Sequence, residues 1–301
     1  MKFTKPLLTF EQQADLLLQR GMVADRALLI ERLSSVSYYR LSGYWHHRKR
    51  PDDSFVPGTE FGIIWEQYVF DRQLRLLVMD AVERVEVAVR TQLSYHHGIT
   101  HGPFGYADDA TSLPKLNSDQ RRELLTRIQD EVTRSREPFV AHFFKKYGMD
   151  HQDLPAWIAT EVMSFGCVLK LLRASSMQVK KAVAQPFGVA YEVLDSWLWM
   201  FNEVRNICAH HGRLWNRELG NKPMIPKQKH HPDWHMPIPI RNNRIFAVLT
   251  VSSYCLLRVA PQSAWPKRLR TLIDGHMKVP RRNMGFPDDW LQSPLWAEAR
   301  R

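Results

Sequence analysis

Cysteine and glycine are both scarce in this sequence of 301 residues. The three cysteines, Cys167, Cys208 and Cys255, are odd in number and lie far apart among apolar residues. This spacing excludes a disulfide scaffold and a zinc ribbon, and it indicates a reducing compartment. The 14 glycines form neither GxGxxG nor GxxxxGK followed by Ser or Thr, so neither common glycine-rich phosphate loop is present.

Long apolar runs and strand-like patterns are also missing. No apolar stretch reaches the roughly 18 residues that a membrane span requires, and we expect no contact with a membrane. The N-terminal segment regains charge after a short apolar patch, so we expect no secretory signal and a cytoplasmic location. Polar and apolar residues do not alternate over long stretches, and no Asn-Gly or Asp-Gly hairpin joins alternating runs. The predicted fold class is therefore all-α.

Positive charge exceeds negative charge in the sequence. Lys and Arg number 42 against 31 Asp and Glu, which gives a net charge of +11. Such a surplus attracts polyanions through the release of counterions, and this makes nucleic acid the default partner. Charge alone is equally consistent with a protein that is merely basic.

Helical periodicity dominates the chain. It predicts helices over 10–20, 25–35, 59–97, 118–135, 138–147, 155–174, 189–213, 243–259 and 262–276, with loops over 98–117 and 221–240 and an irregular tail. We interpret residues 1–301 as a single domain with an N-terminal helical extension (1–58), a core (59–260) and a C-terminal helix and tail (261–301). The polar face of the long helix carries Glu83, Glu86 and Arg90, and the last two are spaced to form an ion pair.

The most informative stretch is WLWMFNEVRNICAHHGRLWNR, residues 197–217. It places Arg205, Asn206 and His210 near one end of a packed helix. A guanidinium can hold a phosphate through two hydrogen bonds, and an imidazole can move a proton near neutral pH. These groups suit RNA cleavage by the ribose 2′-hydroxyl, which needs no metal and leaves a 2′,3′-cyclic phosphate and a 5′-hydroxyl. Most Arg and His pairs near a helix end only cap the helix or face the solvent. So dense a pattern of polar side chains on a packed helix is hard to explain by a need for solubility alone.

The run from Arg205 to Arg217 resembles the signature of the Abi-like family, which are abortive-infection proteins of the AbiD/AbiF type. Its Arg-Asn-x3-His core resembles the catalytic motif of the HEPN ribonuclease superfamily. Further segments that resemble the family are Ser37–Tyr44, Phe55 with Gly58-Thr59 and Phe61, Phe70-Asp71-Arg72, Glu83–Glu86, Pro155 with Trp157, Glu161 with Ser164-Phe165-Gly166, and Met284–Pro287 with Trp290. The resemblance extends over about residues 8–297.

The resemblance implies a HEPN-type helical bundle with additional helices and an endoribonuclease that acts in bacterial defence against phage. Arg205, Asn206 and His210 would be the catalytic residues, and no cofactor or metal is expected. RNA would be the substrate, and an RNA antitoxin is a possible partner. Because only one such motif occurs, a composite site would require a homodimer.

Other residues are supporting candidates on weaker grounds. His211, Arg213, Glu83, Glu86 and Arg90 would support the site. Arg40 lies in an aromatic and basic patch, and Lys227 and Lys229 lie in the loop after the motif, so these three are candidate RNA contacts. The pairs His97 with His101 and His231 with His235 have a zinc-compatible spacing, but they fall in predicted loops without HExxH, and we predict no metal site.

Two other classes of function stay open. The chain could be an RNA-binding module without catalysis, in which Arg205 and His210 only contact phosphates. It could also be an adaptor whose helical face docks a protein. Turnover separates the first from an enzyme, and weak, strongly salt-dependent RNA affinity would indicate the second.

Overall fold

The structure is a computed structural model, and it describes residue 2 and residues 6–300. The all-α prediction is confirmed, because these residues form 14 α-helices and no strand beyond three isolated bridges. The helices are α1 (Phe10–Gln19), α2 (Arg26–Ser35), α3 (Tyr38–Trp45), α4 (Phe61–His101), α5 (Gly105–Asp108), α6 (Ser118–Arg134), α7 (Pro138–Tyr147), α8 (Ala156–Val162), α9 (Phe165–Ala174), α10 (Met177–Ala184), α11 (Tyr191–Ala209), α12 (Ile245–Val259), α13 (Trp265–Asp274) and α14 (Ala297–Arg300).

Local sequence sets many of the helix starts. The residue before the first turn is a short polar side chain that accepts a hydrogen bond from the backbone N–H of the first turn, which stabilises the helix end. These caps are Thr9, Asp25, Ser37, Asn117, Ser164 and Ser176. At Thr9 and Asn117 a glutamine three residues later returns the hydrogen bond and completes a capping box.

The chain divides into two compact units. One comprises Met1–Leu76 and Leu269–Arg281, and the other comprises Leu77–Arg268 and Arg282–Arg301. Of the three boundaries between them, two fall within α4 and α13 and the third follows Arg281, so none falls at residue 58 or 260. The division into an extension, a core and a tail stays a prediction.

A buried polar network organises the first unit. The Tyr44 hydroxyl donates to Asp71 over 2.6 Å, and the Arg75 guanidinium pairs with the same carboxylate oxygen at 2.5 Å. Asp71 is fully buried, so its charge requires these partners. The network explains two of the family-like segments, since it joins α3 to the start of α4.

Helix α12 is the centre of the second unit. Every residue from Ile245 to Leu256 is buried, which means that the helix is covered on all sides. The irregular tail is part of this cover, because Trp296 stacks on Phe246 and Phe286 packs against it at a tilt. Gly285 permits the approach, since it has a φ of +85° and a Cβ there would lie 2.7 Å from the Cβ of Arg244.

Several predicted helix boundaries were wrong. Residues 38–45 form α3 where only an aromatic and basic patch was seen, and α10 was not predicted. Helix α4 continues through Gly98 to His101, because burial of His97 outweighs the weak helix propensity of glycine.

The predicted helix over 155–174 is two helices. Met163 is extended, with a ψ of 141°, and Ser164 caps α9 by accepting from the N–H of Cys167. The apolar period runs on through this break, so periodicity alone could not reveal it.

None of the helices in the described part of the chain combines the length and the hydropathy that a bilayer crossing requires.

The buried network yields a stability prediction. Asp71→Ala leaves the Arg75 guanidinium, itself 6% exposed, without its carboxylate. We expect a loss of about 3–5 kcal/mol in the free energy of unfolding, measured by urea denaturation. Asp15→Ala is the matched control, because Asp15 pairs with Arg26 at 2.6 Å on the surface of the same unit. The control should barely move the transition, and equal effects of the two changes would contradict the assigned role of the network.

Candidate functional site

The sequence motif lies at the C-terminal end of α11. The helix ends at Ala209 with His210 as its cap, so the predicted end at 213 was wrong and Arg213 lies beyond the helix. The N–H of Gly212 donates to the Ile207 carbonyl at 2.8 Å, and that of His211 donates to Cys208 at 3.0 Å. This is a Schellman turn, which satisfies the last carbonyls of the helix.

The residue in the left-handed conformation of this turn is His211, with a φ of 56°. A glycine usually takes that position, since a side chain there is strained. Gly212, the next residue, has a different role. A Cβ on Gly212 would lie 3.2 Å from the Ile207 carbonyl oxygen to which its N–H donates. A side chain at this position would therefore crowd Ile207.

Buried residues on both sides of the turn fix its position. Val204 and Cys208 seat the end of α11, and Leu214 and Trp215 re-enter the core directly after the turn, both fully buried. The residues between these anchors have to face outwards. Asn206, Ala209, His210 and His211 are accordingly exposed.

Arg205 faces an open cleft of about 800 Å³ within the second unit. Its guanidinium donates to the side-chain oxygen of Asn206 over 3.4 Å, so a hydrogen bond links these two neighbouring side chains. Arg90, Arg134 and Arg136 also line the cleft, and so do Glu131, Glu137 and Glu161.

One ion pair holds Arg90 in the wall of this cleft. Glu86 and Arg90 form the ion pair that their spacing predicted, and Arg90 also donates to the carbonyl of Thr160. Arg90 is only 8% exposed, so most of its hydrogen-bonding capacity is used within the protein. It contributes positive charge to the cleft and joins α4 to α8.

Glu131 clamps α6 to the start of α9. Its carboxylate accepts from the N–H of Ser164 at 2.5 Å and from the Ser164 hydroxyl at 2.8 Å. Arg127 pairs with the same carboxylate at 3.5 Å. Because Ser164 also caps α9, this one carboxylate fixes two walls of the cleft relative to each other.

His210 is placed differently from Arg205. It is exposed at the helix end and does not line the cleft. Within the described part of the chain no group hydrogen-bonds to its imidazole. Five helical residues correspond to about 7.5 Å along the axis and about 140° around it, so the two side chains leave α11 in different directions.

The structure gathers some of the supporting residues and separates others. Arg90 lines the cleft with Arg205, and Glu86 holds it there, whereas Glu83 is exposed and does not line the cleft. His211 and Arg213 belong to the turn after α11. Arg40 is exposed on α3 in the other unit.

The loop after the motif that carries Lys227 and Lys229, here called the lysine-rich loop, does not lie beside the motif. Glu203 accepts from the N–H of Asn221 at 2.7 Å and Ser196 accepts from that of Met224 at 2.9 Å, so the loop runs back along α11. Lys227 consequently lines a separate cavity with Val189 at the N-terminal end of the helix. Lys229 is exposed two residues further on.

Of the cleft residues, only Arg90 and Arg205 were predicted as site residues. The charged and aromatic residues that were not are Glu131, Arg134, Arg136, Glu137, Phe139 and Glu161, although Glu161 belongs to a family-like segment. The available signal was the Arg-Ser-Arg sequence at the junction of two predicted helices, followed closely by a phenylalanine. Their proximity to Arg205 depends on contacts between distant segments, and no spacing in the sequence records it.

The histidine pair at the end of α4 is helical, contrary to the loop prediction. The rings of His97 and His101 lie 5.0 Å apart, and His101 contacts Asp109 at 3.2 Å. His235, of the other pair, has a ring nitrogen 2.7 Å from the Pro226 carbonyl. Within residue 2 and residues 6–300, no three His, Cys, Asp or Glu side chains are placed to hold a metal ion.

Comparison with known proteins places this helical protein in a family. The family model described as Abi-like protein matches residues 31–216, which is more than half of the chain. The chain therefore belongs to the Abi-like family. The match includes the motif from Arg205 to Asn216 and all residues of the cleft, and it ends before the lysine-rich loop and the tail. No curated protein and no solved structure matches the chain, so the HEPN-type bundle stays a prediction.

The buried histidine yields a pH prediction. Burial lowers the pKa of His97 to about 4, helped by His101 and Arg121 and opposed by Asp109. The unfolded chain then binds more protons than the folded chain between about pH 4 and 6.5, so stability falls as the pH falls through this window. We expect His97→Phe to remove about 2 kcal/mol of the stability difference between pH 7 and pH 5 in urea titrations.

His230→Phe is the control, because His230 is exposed. The free energy of unfolding of His230→Phe should fall with decreasing pH as much as that of the wild type does. If that of His97→Phe falls as much as well, the buried imidazole is not the cause.

Proposed function

We propose that this protein is an endoribonuclease that acts in abortive infection during bacterial defence against phage. The observation that carries the proposal is the placement of Arg205 in an arginine-lined cleft at the end of α11, where the next turn exposes His210. Membership in the Abi-like family supports the biological role, and the residue chemistry supports the reaction.

The proposed reaction uses the RNA's own 2′-hydroxyl. His210 takes the proton from this hydroxyl as the oxygen attacks the adjacent phosphorus. Arg205 stabilises the negative charge that develops on the phosphate oxygens, and Asn206 holds the guanidinium in place. The bond to the 5′-oxygen breaks, and this oxygen takes a proton from a water molecule. The products are a 2′,3′-cyclic phosphate and a 5′-hydroxyl, and the step requires no metal.

The separation of His210 from the cleft supports a composite site in a homodimer. In a symmetric dimer, exposed residues at the end of α11 can face the same region of a second copy. One copy would supply the arginine of each site and the other copy the histidine. Neither a membrane nor a cofactor enters this scheme, and an RNA antitoxin is a proposed regulator.

The same separation also favours a second candidate function. A chain whose imidazole does not reach the cleft could bind RNA through Arg205 without cleaving it. This non-catalytic RNA-binding module would sense or sequester RNA, and turnover distinguishes it from the enzyme.

The first prediction concerns cleavage by purified protein in EDTA. The wild type should convert RNA to fragments with cyclic phosphate ends, and the Arg205→Ala/His210→Ala variant should not. His210→Ala alone should lower the cleavage rate by about 10²-fold or more, because positioned acid–base catalysis supplies that much. His230→Ala, at another exposed histidine, is the control. A loss of less than threefold in His210→Ala contradicts its role, and tight RNA binding without cleavage by the wild type favours the binding module.

The second prediction tests the composite site. Arg205→Ala and His210→Ala subunits, each inactive alone, are mixed under conditions of subunit exchange. Each mixed dimer then contains one intact site of two, and half of the dimers are mixed, so about a quarter of wild-type activity should return. A mixture that stays inactive would show that each site lies within one subunit.

A further inference from the structure

One exposed aromatic side chain lines the cleft that contains Arg205. Phe139 is 41% exposed at the second position of α7, whereas Phe143, one turn later, is buried. An apolar ring on the wall of a polar cleft has a flat face available to a planar ligand. Nucleic-acid bases are planar, and they stack on such rings with little dependence on sequence.

Two arginines flank this ring. Arg134 ends α6 and donates to the Asp130 carbonyl through its Nε at 3.0 Å, and in the part of the chain that the structure describes its two terminal nitrogens have no hydrogen-bond partner. Arg136 is exposed, and within the described residues its guanidinium has no hydrogen-bond partner. Arg205 lines the same cleft from α11. The Phe139 ring thus shares the cleft with three guanidinium groups, each of which can bind a phosphate through two hydrogen bonds.

The corner that carries these groups is firmly held. The Ser135 hydroxyl accepts from the N–H of Glu137 at 3.3 Å, and Pro138 then fixes the first turn of α7. Glu131, one turn before the corner, is bound to Ser164 on the opposite wall. A ligand would therefore meet a preformed surface, which limits the entropy cost of binding.

Carboxylates limit which ligand fits. Glu131 is occupied by Ser164 and Arg127, but Glu137 and Glu161 also line the cleft and are exposed. These carboxylates interrupt the positive charge of the cleft. A nucleic-acid duplex, which has regularly spaced phosphates on both strands, would therefore gain little binding free energy here. The volume of about 800 Å³ is comparable to that of a small-ligand pocket, which suits a few nucleotides.

We propose that the cleft binds single-stranded RNA, with one unpaired base stacked on Phe139 and its flanking phosphates on Arg134 and Arg136. The chain of the RNA then leads the next phosphate to Arg205. This inference rests on the proposed function and adds the substrate class, since bases inside a duplex are not available for stacking. It assigns RNA contacts to the corner between α6 and α7.

The test measures binding of a single-stranded 2′-O-methyl RNA that carries 2-aminopurine and cannot be cleaved. The full-length wild type should bind it with quenching of the 2-aminopurine fluorescence. Phe139→Ala should weaken binding by about tenfold and abolish the quenching, and Phe139→Trp should retain both. Tyr147→Ala is the matched control, because Tyr147 lies on the same helix, is also 41% exposed and does not line the cleft.

The two arginines are tested by the salt dependence of the same binding. Arg134→Ala/Arg136→Ala should reduce the slope of log affinity against log salt by about 1.4, since each phosphate contact of a single strand contributes about 0.7. Arg122→Ala, on the exposed part of α6, should leave the slope unchanged. An unchanged slope in the double variant would overturn the assigned phosphate contacts.

The outcomes separate this inference from the proposed function. If the wild type binds and cleaves RNA but Phe139→Ala behaves as Tyr147→Ala does, the stacking site is wrong and the ribonuclease stands. If a duplex of the same sequence binds as tightly as the single strand, the substrate class is wrong. If the wild type binds no RNA, both proposals fail.

Discussion

The end of α11 is the constraint on which the candidate site depends. A Schellman turn stops the helix at His210, and buried residues on either side of it hold the turn against the core. The strained φ of His211 persists because Leu214 and Trp215 re-enter the core within four residues. As a result, the polar residues between these anchors cannot be buried, and they form an exposed polar end on a helix that packs along much of its length.

A second constraint builds the cleft around that end. Glu131 links α6 to the capped start of α9, and the Glu86–Arg90 pair links α4 to the carbonyl of Thr160 on α8. The carboxylates of Glu131 and Glu86 both have partners within the protein, so they shape the cleft without neutralising the charge of Arg205. The groups that remain for a ligand come from the corner between α6 and α7 and from α11 itself. Some charged residues of the cleft therefore hold the helices together, whereas others of the same type are available to a ligand.

Much of the fold could be predicted from the sequence, and the errors have identifiable causes. Helices such as α1, α2, α6 and α7 were placed within about two residues, because capping side chains and apolar periods are local signals. The break at Ser164 was missed because the apolar period continues through it, and the extension of α4 to His101 was missed because tertiary packing outweighed Gly98. The lysine-rich loop was expected near the motif, but Glu203 and Ser196 bind it along α11 instead.

The all-α class, the family resemblance and the concentration of Arg205, Asn206 and His210 at one helix end could all be inferred from the order of residues. Each rests on short motifs or local periods in the chain. Which side chains share a cleft with Arg205 depends on packing, since Arg90 comes from α4 and Arg136 and Phe139 come from the corner between α6 and α7. The tertiary structure also decided that His210 lies outside that cleft. Local spacing sets the direction of a side chain around its own helix, but the neighbours in that direction are set by how distant helices pack.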